Sequence, residues 1–176
     1  MRAHQNAATQ RKTRGRMSQF GTRARVGLLT APTMDFGGMG DVEWMMFQER
    51  VTLAPISCEA EAVPIRSALT VLPTAGLDDI EGGKLAGVIA PGHGETQPNE
   101  AQTAFDKLVN VACAEAVPVM AFGDGVPRAL EAMGFEPPAD LPPALLVHNG
   151  LRILDTQDEV RDALMVFHAA QSRLAA

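Results

Sequence analysis

The residues best able to do chemistry in this chain gather in three glycine-rich turns that each follow a short apolar run. They are Pro32-Thr33-Met34-Asp35-Phe36-Gly37-Gly38, Pro91-Gly92-His93-Gly94 and Phe122-Gly123-Asp124-Gly125. In the third, an apolar strand runs through a tight turn straight into a helix, the place where many α/β enzymes mount a nucleophile. No nucleophile stands there. If the turn is a nucleophile elbow, its reactive position is Gly123, and the scaffold is without its reactive atom.

What remains is a set of polar groups with two readings each. Asp35 is placed to act as a general base at a strand end, or to accept the amides of Gly37 and Gly38 in an Asx turn. Asp124 is either a carboxylate in the crevice or the N-cap of the helix that follows, and capping is the expected role. His93 either faces a ligand or stands in solvent. Backbone amides near Gly92, Gly94 and Asp124 are available as oxyanion donors. The ligand-binding set is therefore Gly92, His93, Gly94, Gly123, Asp124 and Gly125, with Asp35 as the sole catalytic candidate. Histidines at 4, 93, 148 and 168 are too scattered for a zinc site, so neither metal nor cofactor is expected. Cys58 and Cys113 lack metal-ligand spacing and any sequence signal of activation, and are read as inert thiols.

The elements that must position these turns follow from the pattern. Val26–Ala31, Val51–Ser57, Leu85–Ala90 and Val117–Phe122 are apolar runs of buried-strand type. They alternate with helical patterns over Met39–Gln48, Asn99–Ala116, Val126–Met133 and Gln157–Leu174. Val63–Leu72 reads as a hairpin or excursion, and Asn149-Gly150 between apolar arms marks a hairpin over Ala144–Asp155. Such alternation predicts a parallel sheet of about six or seven strands between two helical layers, with the site outside the carboxyl ends of the strands. The three turns should then share one crevice.

Charge locates the start of the domain. Residues 1–25 hold seven of the fifteen Lys and Arg and no acid, which leaves eight cations against all twenty-one acids, a net of −13. We expect residues 1–24 to be a basic, disordered leader and residues 25–176 to be one domain. So acidic a body should repel a phosphate backbone, and no nucleic-acid partner is expected through it. No apolar stretch approaches a membrane span, and two cysteines in 176 residues suit a reducing, cytoplasmic setting.

The motifs also resemble a family. Pro32 to Glu43, with Asp35-Phe36-Gly37-Gly38, resembles the Asp-Phe-x-Gly region of isonitrile hydratases. Ile56-Ser57, Pro64-Ile65-Arg66-Ser67, Leu69-Thr70-Val71 and Pro73-Thr74 resemble the segments that follow it in that group. Leu85–Gly94 is similar to its strand and Pro-Gly-Gly loop, and Val117–Gly134 to its strand, Cys-x-Gly elbow and helix. In order and spacing these identify residues 25–170 as resembling the DJ-1/PfpI superfamily, of class I glutamine-amidotransferase-like, flavodoxin-like α/β sandwich fold. The resemblance implies a homodimer. It also implies that the cysteine of relatives falls on Gly123, that the acid beside it falls on Asp35, and that the family's histidine has no counterpart here, since His148 does not fit the motif.

Three functions follow. The leading one is an atypical, non-catalytic member, a pseudoenzyme that binds a small ligand or regulates. The second is a cysteine-independent hydratase or hydrolase with Asp35 as general base, and the third is a structural or chaperone-like dimer built on the Met39–Phe47 helix.

Overall fold

Gly87–Ala90 and Val119–Phe122 carry no polar residue, and every one of these positions is buried. Only a strand covered on both faces has that composition. These are β5 and β6, the two central strands of the sheet. The computed structural model describes residues 23–30, 32, 34, 42–58, 61–65, 69–92 and 99–174. Within them the order is β1 (Ala24–Leu29), α1 (Val42–Gln48), β2 (Val51–Ile56), β3 (Val63–Pro64), β4 (Thr70–Val71) and α2 (Leu77–Glu81). It continues with β5, α3 (Asn99–Ala114), β6, α4 (Gly125–Ala132), β7 (Ala144–Val147), β8 (Leu151–Leu154) and α5 (Gln157–Leu174).

The main sheet has six strands in the order β2-β1-β5-β6-β7-β8, while β3 and β4 form a separate two-stranded antiparallel hairpin. Strands β2, β1, β5 and β6 are mutually parallel, as crossover helices require. The last two are not. β7 returns antiparallel to β6 after α4 and the segment 133–143, and β8 runs antiparallel to β7 across the tight turn at 148–150. The sheet is therefore mostly parallel with an antiparallel edge.

One apolar cluster lies between the sheet and α1 and α5, around Met46, Met120, Leu164 and Phe167. A second fills the other face beneath α2, α3 and α4, around Ile80, Phe105, Leu108 and Leu130. On α1 the stripe Val42, Met45 and Met46 is buried as its spacing requires, leaving Trp44 and Phe47 61% and 63% exposed and stacked on each other at 5.4 Å between ring centroids. Helix α5 starts where Thr156 and Glu159 form a capping box. The Thr156 hydroxyl accepts the Glu159 amide at 3.2 Å, and the Glu159 carboxylate accepts the Thr156 amide at 2.9 Å.

Three helices stop by one device. In α2, α3 and α4 the chain turns through a left-handed residue whose amide, and that of the next residue, close back on carbonyls of the last turn. Gly83 (φ 63) and Gly134 (φ 80) do this in α2 and α4, but in α3 the residue is Ala116, φ 53. Ala116→Gly is expected to stabilise the domain by about 0.5–1 kcal/mol, the relieved strain of roughly 1–2 kcal/mol less the added flexibility of the unfolded chain. A shift of the urea midpoint to higher concentration at constant slope is the measurement.

Candidate functional site

The turn after β6 has the geometry of an elbow. Phe122 pairs with Ala144 across the sheet, the Gly123 amide donates to Pro143 O at 3.0 Å, and Gly123 takes φ 48. The Val126 amide then donates to Gly123 O at 3.0 Å and α4 begins. A non-glycine residue at that φ is strained, so the glycine relaxes a turn that a nucleophile would tension.

Gly125 brings two of the three turns together. A Cβ built on it would stand 2.4 Å from Pro91 O and 2.6 Å from Ala90 O, so the start of α4 lies directly against the end of β5. Only glycine permits that approach. Gly92, the next residue after Pro91, is buried. The turn after β1 is anchored at two points: the Thr30 hydroxyl and amide both donate to Ile56 O at 2.9 Å, and Met34 is 1% exposed in the cluster beneath α3 and α4. Asp35 itself, with His93 and Gly94, lies outside the described residues. Gly92, Gly123, Asp124 and Gly125 are thus placed at the carboxyl edge of neighbouring strands.

Asp124 corrects the expectation drawn from its residue type. It occupies the N-cap position of α4 but makes no side-chain cap bond, and its backbone is helical (φ −65, ψ −12) where a capping residue is extended. The reason is that Gly123 has already made the turn, so the Asp124 carboxylate stands exposed instead of folding over the helix start.

Helix α4 is held at its outer side by an ion pair that sequence reasoning missed. Arg128 Nη2 meets Asp106 Oδ2 of α3 at 2.5 Å, and Arg128 Nη1 reaches Glu131 at 3.3 Å. Asp106 Oδ1 and Arg128 Nε are buried without partners, and burial, opposed by the neighbouring guanidinium, pushes the Asp106 carboxyl up. The pair joins residues 22 apart on two helices, and no local motif announces it.

The thiols show no sign of activation. Cys58 donates to Ala104 O at 3.3 Å, and burial pushes the Cys113 thiol up, away from the reactive thiolate. Cys58→Ser/Cys113→Ser is expected to keep any ligand-induced rise in melting temperature shown by the parent; a loss at unchanged stability would move the reactive centre to a cysteine. His168 is a packing residue, its Nε2 bonded to Glu49 O in the turn between α1 and β2. Among the described residues, no group of three His, Cys, Asp or Glu could hold a metal, and no helix is long and apolar enough to cross a membrane.

A cavity of about 340 Å³ opens at the opposite, amino-terminal edge of the sheet, ahead of β5 and β6 and beside the β7–β8 turn. It is far from the elbow. Its lining comes from separate segments of the chain, which is why no motif in the sequence signalled it.

No family model and no curated protein matches the chain. Solved structures do. A cysteine-to-alanine mutant of a DJ-1 superfamily protein from Salmonella typhimurium is 13% identical at TM-score 0.52, covering 86% of this chain and 90% of that one. An AraC family transcriptional regulator from Pseudomonas putida is 13% identical at TM-score 0.51, covering 86% of this chain and 99% of that one. At such identity the likeness establishes the fold and nothing further.

Proposed function

We propose, for a chain with the fold of DJ-1/PfpI superfamily proteins, that it is a non-catalytic member of that group which binds a small molecule at the carboxyl edge of its sheet and acts as a regulatory domain. The observation that carries the reading is Gly123 at φ 48, an elbow that keeps its backbone turn with no side chain to react. The close seating of Gly125 on Pro91 supports a binding crevice there, and the same fold in a protein named as a transcriptional regulator supports a regulatory role. Cys58 and Cys113, both part-buried and neither in a disulfide, support a cytoplasmic setting.

The test is a thermal-shift screen of small carbonyl compounds, amides and isonitriles, run beside turnover assays on the same compounds. A saturable rise in melting temperature without turnover is the expected result. Turnover that disappears in Asp35→Asn would replace this reading with a cysteine-independent hydratase or hydrolase.

The exposed Trp44–Phe47 stack favours a second reading, a homodimer through α1. Sedimentation should then show a dimer that Trp44→Ser/Phe47→Ser dissociates.

A further inference from the structure

The cavity at the amino-terminal edge belongs to neither the elbow nor α1, and its chemistry is distinct. Its floor is apolar: Ile80, Leu85 and Ala86 line it and are at most 2% exposed, with Ala170 beside them. Its rim is polar, with Glu81, Glu115, His148 and Arg173 on it.

The topology gives this rim a sign. In a sheet of parallel strands joined by helices, every crossover helix ends at the amino edge, and a helix C-terminus carries partial negative charge from its last carbonyls. Both long helices end here. Glu115 and Ala116 stand at the end of the 16-residue α3, and Arg173 and Leu174 at the end of the 18-residue α5. Burial and the nearby Arg173 guanidinium push His148 down, so at neutral pH it contributes no charge. Among the described lining residues, two carboxylates and two helix ends then face a single guanidinium. An acidic body, net −13 outside the first 25 residues, adds a long-range field of the same sign.

We propose that the amino-edge cavity is a binding site for a small organic cation, an amine whose apolar body packs on the Ile80–Leu85 floor while its ammonium meets Glu81, Glu115 and the carbonyl end of α3. An anion would face both carboxylates and the helix ends. A neutral molecule would gain only the floor. Cavity and charge together select the amine.

The experiment compares three probes of one shape, benzylamine, benzyl alcohol and benzoate, by titration into the full chain with NMR detection of the His148 ring and the Ala116 and Val117 amides. Benzylamine is expected to shift these signals saturably in the millimolar range, as suits so small a ligand. Benzyl alcohol should bind more weakly and benzoate not at all. Glu81→Gln/Glu115→Gln, two exposed positions whose replacement leaves the core intact, should weaken benzylamine by about five-fold or more, and Arg173→Gln should tighten it. Melting temperatures of the variants establish that each is folded. Equal affinity for the amine and the alcohol, preference for benzoate, or the absence of any shift would each overturn the proposal. None of these outcomes bears on the carboxyl-edge site, whose ligands are scored by the separate thermal-shift screen.

Discussion

Gly125→Ala is expected to destabilise the domain by about 3 kcal/mol, the upper part of the range for overpacking a close-packed interior. The added methyl would fall 2.4 Å from Pro91 O and 2.6 Å from Ala90 O. Both obstacles are backbone atoms, so no rotamer change relieves the clash; either α4 must lift from the sheet or the turn after β5 must move. Gly134→Ala is the matched control. Gly134 has φ 80, and a methyl added there would meet nothing within 4 Å, so its replacement costs only the left-handed strain, roughly 1–2 kcal/mol. Urea denaturation of both variants separates the two effects. Equal losses would mean that the elbow helix does not rest on the end of β5, and the shared crevice would be lost with it.

Gly123→Cys is expected to give a folded protein with a reactive thiol. The cost of a side chain at φ 48 is about 1–3 kcal/mol, and the new sulfur would sit one residue ahead of the Asp124 N-cap of α4, where the helix dipole favours the thiolate. Its pKa should fall below the free-cysteine value of about 8.5, and the first unit of lowering raises the thiolate fraction at a pH near 6.5 by close to tenfold. Iodoacetamide should therefore label residue 123 well before Cys113, whose thiol burial pushes the other way. Rates against pH, with the labelled site assigned by mass spectrometry, give the value. If Asp35 neighbours the elbow as its resemblance implies, adding Asp35→Asn slows the reaction. A thiol at 123 that titrates at the ordinary value would show a crevice no longer able to activate a nucleophile, and would leave binding as its only role.

Much of this architecture was legible because it rests on local periodicity. The residues of α5, Gln157–Leu174, match the apolar spacing at both ends, and the β7–β8 hairpin falls on either side of Asn149-Gly150 as that dipeptide demands. The elbow could be read because a strand, a glycine turn and a helix are contiguous in the chain. What escaped was either too short or too distributed. Helix α2, five residues from Leu77 to Glu81, has too few turns to show a period. The Arg128–Asp106 pair and the amino-edge cavity join residues from separate elements, so only the packed fold brings them together. Asp124 misled because composition favours it as a cap, whereas the backbone angle set by Gly123 one residue earlier decides.

The last helix closes on the first strand. The Arg25 amide of β1 donates to Gln171 Oε1 of α5 at 3.0 Å across 146 residues of sequence, and His168 of the same helix ties down the turn before β2. Because β1 lies inside the sheet, the half of the core between it and α5 cannot close on a growing chain until synthesis reaches the final helix. Until then the apolar face of β1 is open to chaperones and to aggregation. Once closed, the start of β1 and the last turns of α5 are neighbours, so a short linker from α5 to β1 would make a circular permutant that keeps the sheet and frees the choice of where the chain begins.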